Sequence, residues 1–255
     1  MVLAGLLVDL PDLLLGHLGG CDQSGERDLA REGADLAIVY LPDEESDAIE
    51  TKGAIEAAGR RTLLLPGTVT SNEFCQAAVA ETVKQLGAID ILVNNAAYQK
   101  NRDSIAEVSE EQFDRTFKTN IYGYFFMAKA ALEYMKEGAC IINTGSITGL
   151  EGESTLIDYA STKGAIHAFT KSLAQNLVKK KIRVNAVAPG PVWTPLNTAA
   201  KSPEDVAQFG ADTPMGRPGQ PEELAPTYVF LASNADSGFM TGEVISLLGG
   251  DVTAA

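Results

Sequence analysis

Two residues with complementary proton chemistry, Tyr159 and Lys163, stand four positions apart in the segment IDYASTKGAIH at 157–167. In an α-helix, side chains at this spacing share one face and lie about 5–6 Å apart. A free phenol has a pKa of about 10 and is therefore a poor acid or base at neutral pH. A neighbouring ammonium lowers that pKa, so the pair predicts proton exchange with an alcohol or a carbonyl. The small residues between them leave room for a ligand.

The spacing alone is also compatible with a simpler interpretation, in which Tyr159 and Lys163 are an exposed pair on an amphipathic helix. Two further polar residues favour the catalytic interpretation. Ser146 ends a predicted strand thirteen residues before Tyr159, and its hydroxyl can bond the same substrate oxygen. Asn120 lies in the helical segment KTNIYGYF, where its amide can bond the backbone or hold a water near Lys163.

The elements that must position these residues alternate along the chain. Short apolar runs predict strands, and longer amphipathic segments predict helices, which favours one α/β domain with a parallel sheet covered on both faces. Strands are predicted at 34–41, 61–67, 88–96, 139–146, 181–190 and 242–250. Helices are predicted at 46–59, 72–87, 158–180 and 222–233, with two more within 103–136. Ligands of such sheets bind at the carboxyl ends of the strands, which is where Asn94, Asn95, Ser146 and the Pro189–Gly190 turn occur.

The composition is that of a globular protein, and its charge excludes two classes of partner. The 255 residues are 45% hydrophobic and 21% charged, which suffices for a sizeable core. The net charge of −14 repels phosphate backbones and anionic lipids. We therefore expect neither nucleic acid nor membrane as a partner.

The cysteines and histidines indicate a cytoplasmic protein without a metal site. Cys21, Cys75 and Cys140 are far apart, which is typical of reduced thiols. The two histidines, His17 and His167, are too few for a histidine-based metal centre. The apolar start MVLAGLLVDLPDLLLGHLGG lacks the basic region of a signal peptide and is interrupted by acidic residues and proline.

Several ordered motifs accompany the tyrosine and the lysine, and together they resemble the short-chain dehydrogenase/reductase family. The motifs are NNAA at 94–97, KTN at 118–120, INTGS at 142–146, YASTK at 159–163, RVNAVAPGPVWTP at 183–195 and TGEVISLLGG at 241–250. The resemblance runs from about residue 34 to the C-terminus. The details YLPDEE, NNAAYQ and GRPGQPEELAP look closest to the glucose/ribitol-dehydrogenase-like branch. The resemblance implies a Rossmann-type doubly wound sheet of about seven strands.

The resemblance also implies a reaction and a role for each matching residue. Hydride would pass between NAD(P) and an alcohol/carbonyl pair, with Tyr159 as general acid/base. Lys163 would lower the pKa of Tyr159 and bind the nicotinamide ribose, and Ser146 would orient the substrate carbonyl. Asn120 would hold a water that links Lys163 to solvent. Relatives of this family tend to be homotetramers, which implies a homo-oligomer here.

The remaining cofactor-binding residues are assigned by resemblance alone. Besides Tyr159 and Lys163, they are Gly19, Gly20, Gly25, Tyr40, Thr68, Val69, Asn94, Ala96, Pro189, Gly190, Val192 and Thr194. NAD and NADP both stay open, because Tyr40 and Leu41 end the strand predicted at 34–41, where an acidic residue typically binds the ribose, and no basic residue is near to receive a 2′-phosphate.

The glycine-rich turn of the family, TGxxxGxG, has only a partial match here. Gly19 and Gly20 fit its beginning and Gly25 a later position, but Glu26-Arg27 replaces the last glycine. Between Gly25 and Gly33 there is room for about two helical turns, fewer than the family has. Residues 1–33 therefore form an atypical first unit, and Glu26 brings negative charge towards a pyrophosphate.

Three further features complete the interpretation. The polar stretch 194–217 predicts a substrate-binding lid with a short helix. His167, four residues after Lys163, is interpreted as a packing or surface residue, and Asp158 as an N-terminal residue of the helix. Two functions remain open: an active oxidoreductase, favoured by the Tyr159 set, or a catalytically silent binding subunit, favoured by the altered glycine turn. The substrate is not identified.

Overall fold

A computed structural model describes residues 3–8, 24–198 and 203–252. Its strands are β1 (Leu3–Val8), β2 (Asp35–Tyr40), β3 (Thr62–Pro66), β4 (Ile91–Asn94), β5 (Cys140–Thr144), β6 (Arg183–Pro189) and β7 (Val244–Leu247). The six strands expected from the apolar runs are all present, each shorter at its ends than predicted. β1 is an additional strand in a segment to which the sequence pattern assigned none.

The helices lie between the strands in the predicted order. They are α1 (Ser24–Arg31), α2 (Glu45–Ala57), α3 (Asn72–Leu86), α4 (Glu110–Phe117), α5 (Gly123–Ala131), α6 (Thr148–Glu151), α7 (Ile157–Leu177), α8 (Pro195–Thr198), α9 (Pro203–Gln208), α10 (Pro221–Ala232) and α11 (Asn234–Ser237). A π-helical turn at Lys118–Tyr122 joins α4 to α5. None of the helices in the described part of the chain has the length and apolarity needed to cross a membrane.

The strands form one seven-stranded sheet in the order β3-β2-β1-β4-β5-β6-β7. The pairs β2–β3, β4–β5, β5–β6 and β6–β7 are parallel, which confirms the Rossmann-like fold class. β1 departs from the parallel expectation, since it runs antiparallel to both β2 and β4. Its residues LAGLLV are apolar throughout, and such a run carries no alternation from which a strand direction could be predicted.

Helices cover both faces of the sheet because alternate strand residues point to opposite sides. Leu92 and Ile141 pack on the face that α3, α5 and α7 cover, whereas Val93 and Ile142 pack on the face of α1, α2 and α10. Burial on both faces explains why these strands are apolar at nearly every position. Cys140, expected to be a small buried apolar residue, is 1% exposed in β5.

The site lies where β4, β5 and β6 end side by side. Their last residues are Asn94, Thr144 and Pro189, and polar loops follow all three strands. α7 lies beside β6 and β5 and brings its first two turns to these loops. Gly149 makes this approach possible, because a Cβ on it would lie 2.5 Å from the backbone carbon of Lys163.

Candidate active site

Tyr159 and Lys163 lie on the inner face of α7, which excludes the interpretation of an exposed pair. Tyr159 is 8% exposed and Lys163 is 1% exposed. The Nζ atom of Lys163 is 5.4 Å from the centre of the Tyr159 ring, close enough for attraction between the ammonium and the π-face. The helical spacing therefore brings the phenol and the amine together as the sequence predicts.

Lys163 is anchored to the carboxyl end of β5. Its Nζ donates a hydrogen bond to the carbonyl oxygen of Thr144 at 2.6 Å, and the Tyr124 hydroxyl donates to the same oxygen at 3.2 Å. Burial disfavours the charged form of the amine and lowers the pKa of Lys163 from 10.5 to about 7. At neutral pH this site therefore exchanges a proton readily.

The expected lowering of the Tyr159 pKa is not found in this arrangement. Burial of the phenol raises the pKa of Tyr159 to about 12, and the hydrogen bond from Ser146 opposes this rise only in part. The physical reason is that removing a phenolate from water costs more than one neutral donor restores. Because burial also disfavours the charged form of the Lys163 amine, this amine does little to lower the pKa of Tyr159. The phenol therefore needs further positive charge nearby before it can act as a base.

Ser146 lies beside Tyr159 and lowers the pKa of the phenol. The Oγ atom of Ser146 accepts hydrogen bonds from the backbone N–H of Thr148 at 3.2 Å and from the Thr148 hydroxyl at 3.1 Å. Because its acceptor positions face Thr148, the Ser146 hydroxyl is left to donate to the phenol oxygen. This hydrogen bond lowers the pKa of Tyr159, as expected when the bond favours the charged form.

Asn120 lies in the π-helical turn and is fully buried. Its amide oxygen accepts from the backbone N–H of Tyr98 at 2.7 Å, and its amide nitrogen donates to the Tyr98 carbonyl oxygen at 3.0 Å. The same nitrogen donates to the hydroxyl of Thr162, next to Lys163, at 2.9 Å. The side chain of Asn120 therefore fixes the loop after β4 against α7. π-helical turns occur often at functional sites.

Asp158 is a buried anchor for the start of α7, a role that its position before Tyr159 did not indicate. One carboxylate oxygen accepts from the backbone N–H of Tyr159 at 3.0 Å. The other accepts from the Thr116 hydroxyl at 2.6 Å and the Gln112 amide at 3.2 Å, both on α4. Gln112 and Thr116 stand four residues apart on α4, and that spacing was the sequence signal for a shared partner.

His167 packs behind the Ser146 loop and is 5% exposed, which confirms the packing interpretation. Its Nε2 accepts a long hydrogen bond of 3.5 Å from the backbone N–H of Ser146. Burial, with the nearby charge of Lys163, lowers the pKa of His167 from 6.5 to about 4. The imidazole is therefore neutral at physiological pH, and it fills the space beside Gly145, where a Cβ would lie 2.2 Å from Nε2.

The predicted cofactor residues at the end of β6 meet the predicted catalytic residues in one cavity. Pro189, Gly190, Val192 and Thr194 line it together with Ser146, Tyr159 and Lys163. From the loop after β4, the residues that line it are Asn95 and Ala97, whereas the predicted residues were Asn94 and Ala96. Successive residues of an extended chain point to opposite sides, which explains the shift by one.

Asn94 instead belongs to the interior of the sheet. Its amide nitrogen donates to the Asn143 side chain at 2.9 Å, and Asn143 in turn donates to the hydroxyl of Thr170 on α7. Ala96 is 1% exposed and packs in the core with α5. Both residues thus support the loop, and their neighbours face the cavity.

The residues predicted for the other end of the cofactor are only partly described. Tyr40 ends β2 and is 3% exposed, and Val69 is 1% exposed beside Gly123. The hydroxyl of Thr68 is hydrogen-bonded to that of Thr70 at 2.9 Å. Gly25 is the second residue of α1, while Gly19 and Gly20 lie outside the described residues.

Comparison with known proteins agrees with this geometry. Residues 26–250 match the family model described as Enoyl-(Acyl carrier protein) reductase. A solved structure of a blue fluorescent protein from a metagenomic library, in complex with NADPH, matches with a TM-score of 0.83 and 30% sequence identity, over 91% of this chain and 93% of that one. This chain belongs to the short-chain dehydrogenase/reductase family.

Two curated relatives show where this short-chain dehydrogenase/reductase lies within the family. It is 44% identical to NADPH-dependent aldehyde reductase 1, chloroplastic, of Arabidopsis thaliana, over 95% of this chain and 86% of that protein. It is 46% identical to the glucose and ribitol dehydrogenase homolog of Oryza sativa subsp. japonica, over 87% of this chain and 78% of that protein. The second similarity confirms the branch that the sequence details indicated.

The nicotinamide end of the cofactor that this family uses fits the cavity of this dehydrogenase/reductase. The cavity joins a buried amine, two hydroxyls and the Pro189–Gly190 turn, which together suit a ribose and a flat ring. Thr144 and Tyr228 also line the cavity, and their hydroxyls are 2.9 Å apart. Neither residue was predicted to line the site. Tyr228 comes from the middle of α10, and no motif marks it.

Proposed function

We propose that this protein is an NAD(P)-dependent oxidoreductase that transfers a hydride between the cofactor and an alcohol/carbonyl substrate. The observation that supports it best is the convergence of the Ser146 hydroxyl and the Lys163 amine on Tyr159 within one cavity. NAD and NADP remain equal candidates. The similarity to an NADPH-dependent aldehyde reductase favours small carbonyl compounds as substrates.

The protein's residues would act on one substrate oxygen. In reduction, Tyr159 donates its proton to that oxygen while Ser146 donates a hydrogen bond to it and holds the carbonyl in place. In oxidation, Tyr159 accepts the alcohol proton. When bound, the cofactor supplies or accepts the hydride, and its oxidised ring brings positive charge towards the phenol.

Lys163 and Asn120 would complete the proton path. The Nζ of Lys163, held by the Thr144 carbonyl, would bind the ribose hydroxyls and pass a proton between Tyr159 and solvent. With its side chain bonded to Tyr98 and Thr162, Asn120 would hold the π-helical turn at which a relay water sits. Within the segment 194–217, of which residues 199–202 lie outside the described residues, the short helices α8 and α9 would close over the substrate.

The cellular location and the oligomeric state are proposed from the family resemblance, from the free thiols and from exposed aromatic side chains. We place it in the cytoplasm, since Cys75 and Cys140 are free thiols.

We propose a homotetramer, because aromatic side chains are exposed along α4 and α5. Phe113, Tyr122 and Phe125 are 45%, 49% and 49% exposed. Such a patch is typical of a protein interface.

One observation favours the alternative of a catalytically silent binding subunit. Glu26 is fully buried in the first turn of α1, at the helix end that would otherwise attract a pyrophosphate. α1 also has only eight residues, as the sequence predicts. A carboxylate at that place would weaken cofactor binding without touching Tyr159.

Titration with NADH and NADPH, followed by turnover of an aldehyde, separates the two functions. The oxidoreductase predicts saturable binding of at least one cofactor and turnover that Tyr159→Phe abolishes while binding is retained. Tyr134→Phe, at an exposed tyrosine, is the matched control and should be fully active. Absence of binding up to millimolar cofactor would support the silent subunit.

A further inference from the structure

A second and wider cavity opens on the other side of the catalytic hydroxyls. It has a volume of about 580 Å³, and both Ser146 and Tyr159 line it. The other walls come from the loop after α6, from Gln99 and Asn101 beyond β4, and from the segment around α8 and α9. This cavity therefore lies where the part of a substrate beyond its reacting carbonyl would extend.

Carboxylates dominate the charge of this cavity. Glu151, Glu153, Asp212 and Asp251 line it and are exposed to solvent, and no described lining residue is lysine, arginine or histidine. No salt bridge found among the described residues neutralises any of the four. One oxygen of Glu153 accepts hydrogen bonds from the backbone and hydroxyl of Thr155, which fixes that carboxylate at the wall.

Two amide side chains of the cavity wall already use their donors within the protein. The amide nitrogen of Gln99 is already used, since it donates to the Leu196 carbonyl and to the Asn197 side chain. Asn197 likewise donates to the Val192 carbonyl at 2.9 Å. Ionised carboxylates accept hydrogen bonds and donate none. The four carboxylates therefore suit a ligand that brings hydrogen-bond donors or positive charge.

We propose that this cavity selects substrates without negative charge that carry hydroxyl or ammonium groups beyond the reacting carbonyl, and that it rejects carboxylated and phosphorylated ones. Glu151 and Asp212 are the specificity-determining residues, because both are exposed carboxylates of the lining and they come from two separate segments, the end of α6 and the loop after α9. The inference rests on the proposed oxidoreductase function and names its substrate class.

The size of the effect follows from electrostatics between partly exposed charges. Two charges near a protein surface interact several times more strongly than the same pair in bulk water. Salt screens such charges over about 10 Å at 0.1 M ionic strength. The ratio of kcat/KM for an uncharged substrate to that for a carboxylated one should therefore reach about tenfold in low salt and shrink as salt is added.

Three aldehydes of equal reactivity test this directly. Each is a benzaldehyde with a para-alkoxy chain that ends in a hydroxyl (2-hydroxyethoxy), a carboxylate (carboxymethoxy) or a quaternary ammonium (2-trimethylammonioethoxy). We expect kcat/KM for the carboxylate to be about tenfold or more below that of the other two at 20 mM salt. The gap should narrow at 0.5 M salt, since the charges are then screened.

Variants of the cavity carboxylates test whether these side chains cause the lower kcat/KM of the carboxylated aldehyde. Combined Glu151→Gln and Asp212→Asn should raise kcat/KM for the carboxylate several-fold and thereby narrow its gap to the hydroxyl aldehyde. Glu50→Gln, at an exposed position on α2, is the matched control and should change nothing. Equal kcat/KM for all three aldehydes, or an unaltered gap in the double variant, overturns the inference while the proposed function stands. If Tyr159-dependent turnover of every aldehyde is absent, the proposed function fails and the inference with it.

Discussion

The Nζ atom of Lys163 lies 2.6 Å from the carbonyl oxygen of Thr144 and is buried with it at the end of β5. Tyr124 donates its hydroxyl to the same oxygen, so the carbonyl keeps one donor if the lysine is removed. This shared acceptor allows the proposed catalytic role of Lys163 to be tested apart from any structural role. Variants at this position should therefore fold.

Lys163→Met is expected to lower kcat by about a hundredfold or more, in the range typical of losing a proton-transfer group. The variant should melt at the same temperature as the wild type or higher, because methionine fills the buried volume without an amine to desolvate. Steady-state kinetics with thermal denaturation at pH 7 checks both. A large fall in melting temperature would show that the lysine is structural.

The free energy of unfolding should depend on pH through the titration of the Lys163 amine. The unfolded chain keeps the Lys163 proton up to about pH 10.5, whereas the folded protein releases it near pH 7. Between these values the unfolded state binds more protons, so stability rises with pH and is lost as pH falls towards 7. The slope of unfolding free energy between pH 7 and 10 should be smaller in Lys163→Met. Identical slopes would mean that Lys163 stays charged when folded.

The pH profile of catalysis should follow Tyr159. Burial raises the pKa of the phenol to about 12, so kcat/KM for alcohol oxidation should climb through the alkaline range, because oxidation needs the phenolate. Reduction needs the protonated phenol and should be flat around neutral pH. Ser146→Ala removes the donor that lowers this pKa and should shift the oxidation profile to higher pH. A shift to lower pH would contradict the assigned direction of that hydrogen bond.

His167 should make the protein sensitive to mild acid. Its pKa falls from 6.5 to about 4 on folding, so the folded state binds fewer protons in this interval and stability falls as pH drops through it. His167→Asn removes the titrating group and should flatten the stability profile between pH 6.5 and 4, as measured by urea denaturation. A wild-type profile that is flat in this range would place the imidazole in solvent.

Asp158 should act on catalysis through the position of α7. Asp158→Asn leaves one buried donor facing the Thr116 hydroxyl and the Gln112 amide, and should cost about 1–3 kcal/mol of stability. It should also lower kcat more than it changes KM, because Tyr159 follows directly in the chain. Thr116→Val removes one of these hydrogen bonds and should have the smaller effect on both. Equal activity in both variants and the wild type would limit Asp158 to a folding role.

Much of the arrangement was predictable because local rules govern it. Apolar runs and amphipathic segments predict six strands and the long helices, and the spacing of Tyr159 and Lys163 predicts a shared face. The two-turn length of α1 also follows from sequence. The ordered motifs add the branch of the family, which no single pattern provides.

The remainder depends on contacts between distant segments. The direction of β1 is not encoded in an all-apolar run, and the register after β4 decides whether Asn94 or Asn95 faces the cavity. The pKa of Tyr159 depends on how deeply α7 buries the phenol. This burial raises the pKa, whereas the neighbouring Lys163 alone had predicted that it would be lowered. Tyr228 and the carboxylate wall reach the site only through the fold.

Transfer of deuterium from the cofactor to the substrate tests the central claim most directly. NADH and NADPH, each labelled at C4 on either face, are incubated with the hydroxyethoxy benzaldehyde, and the alcohol is analysed by mass spectrometry. The account predicts one deuterium per product molecule from one cofactor face with the wild type and no labelled product with Tyr159→Phe, although this variant still binds cofactor. Unlabelled product, or equal labelling by Tyr159→Phe, would contradict it.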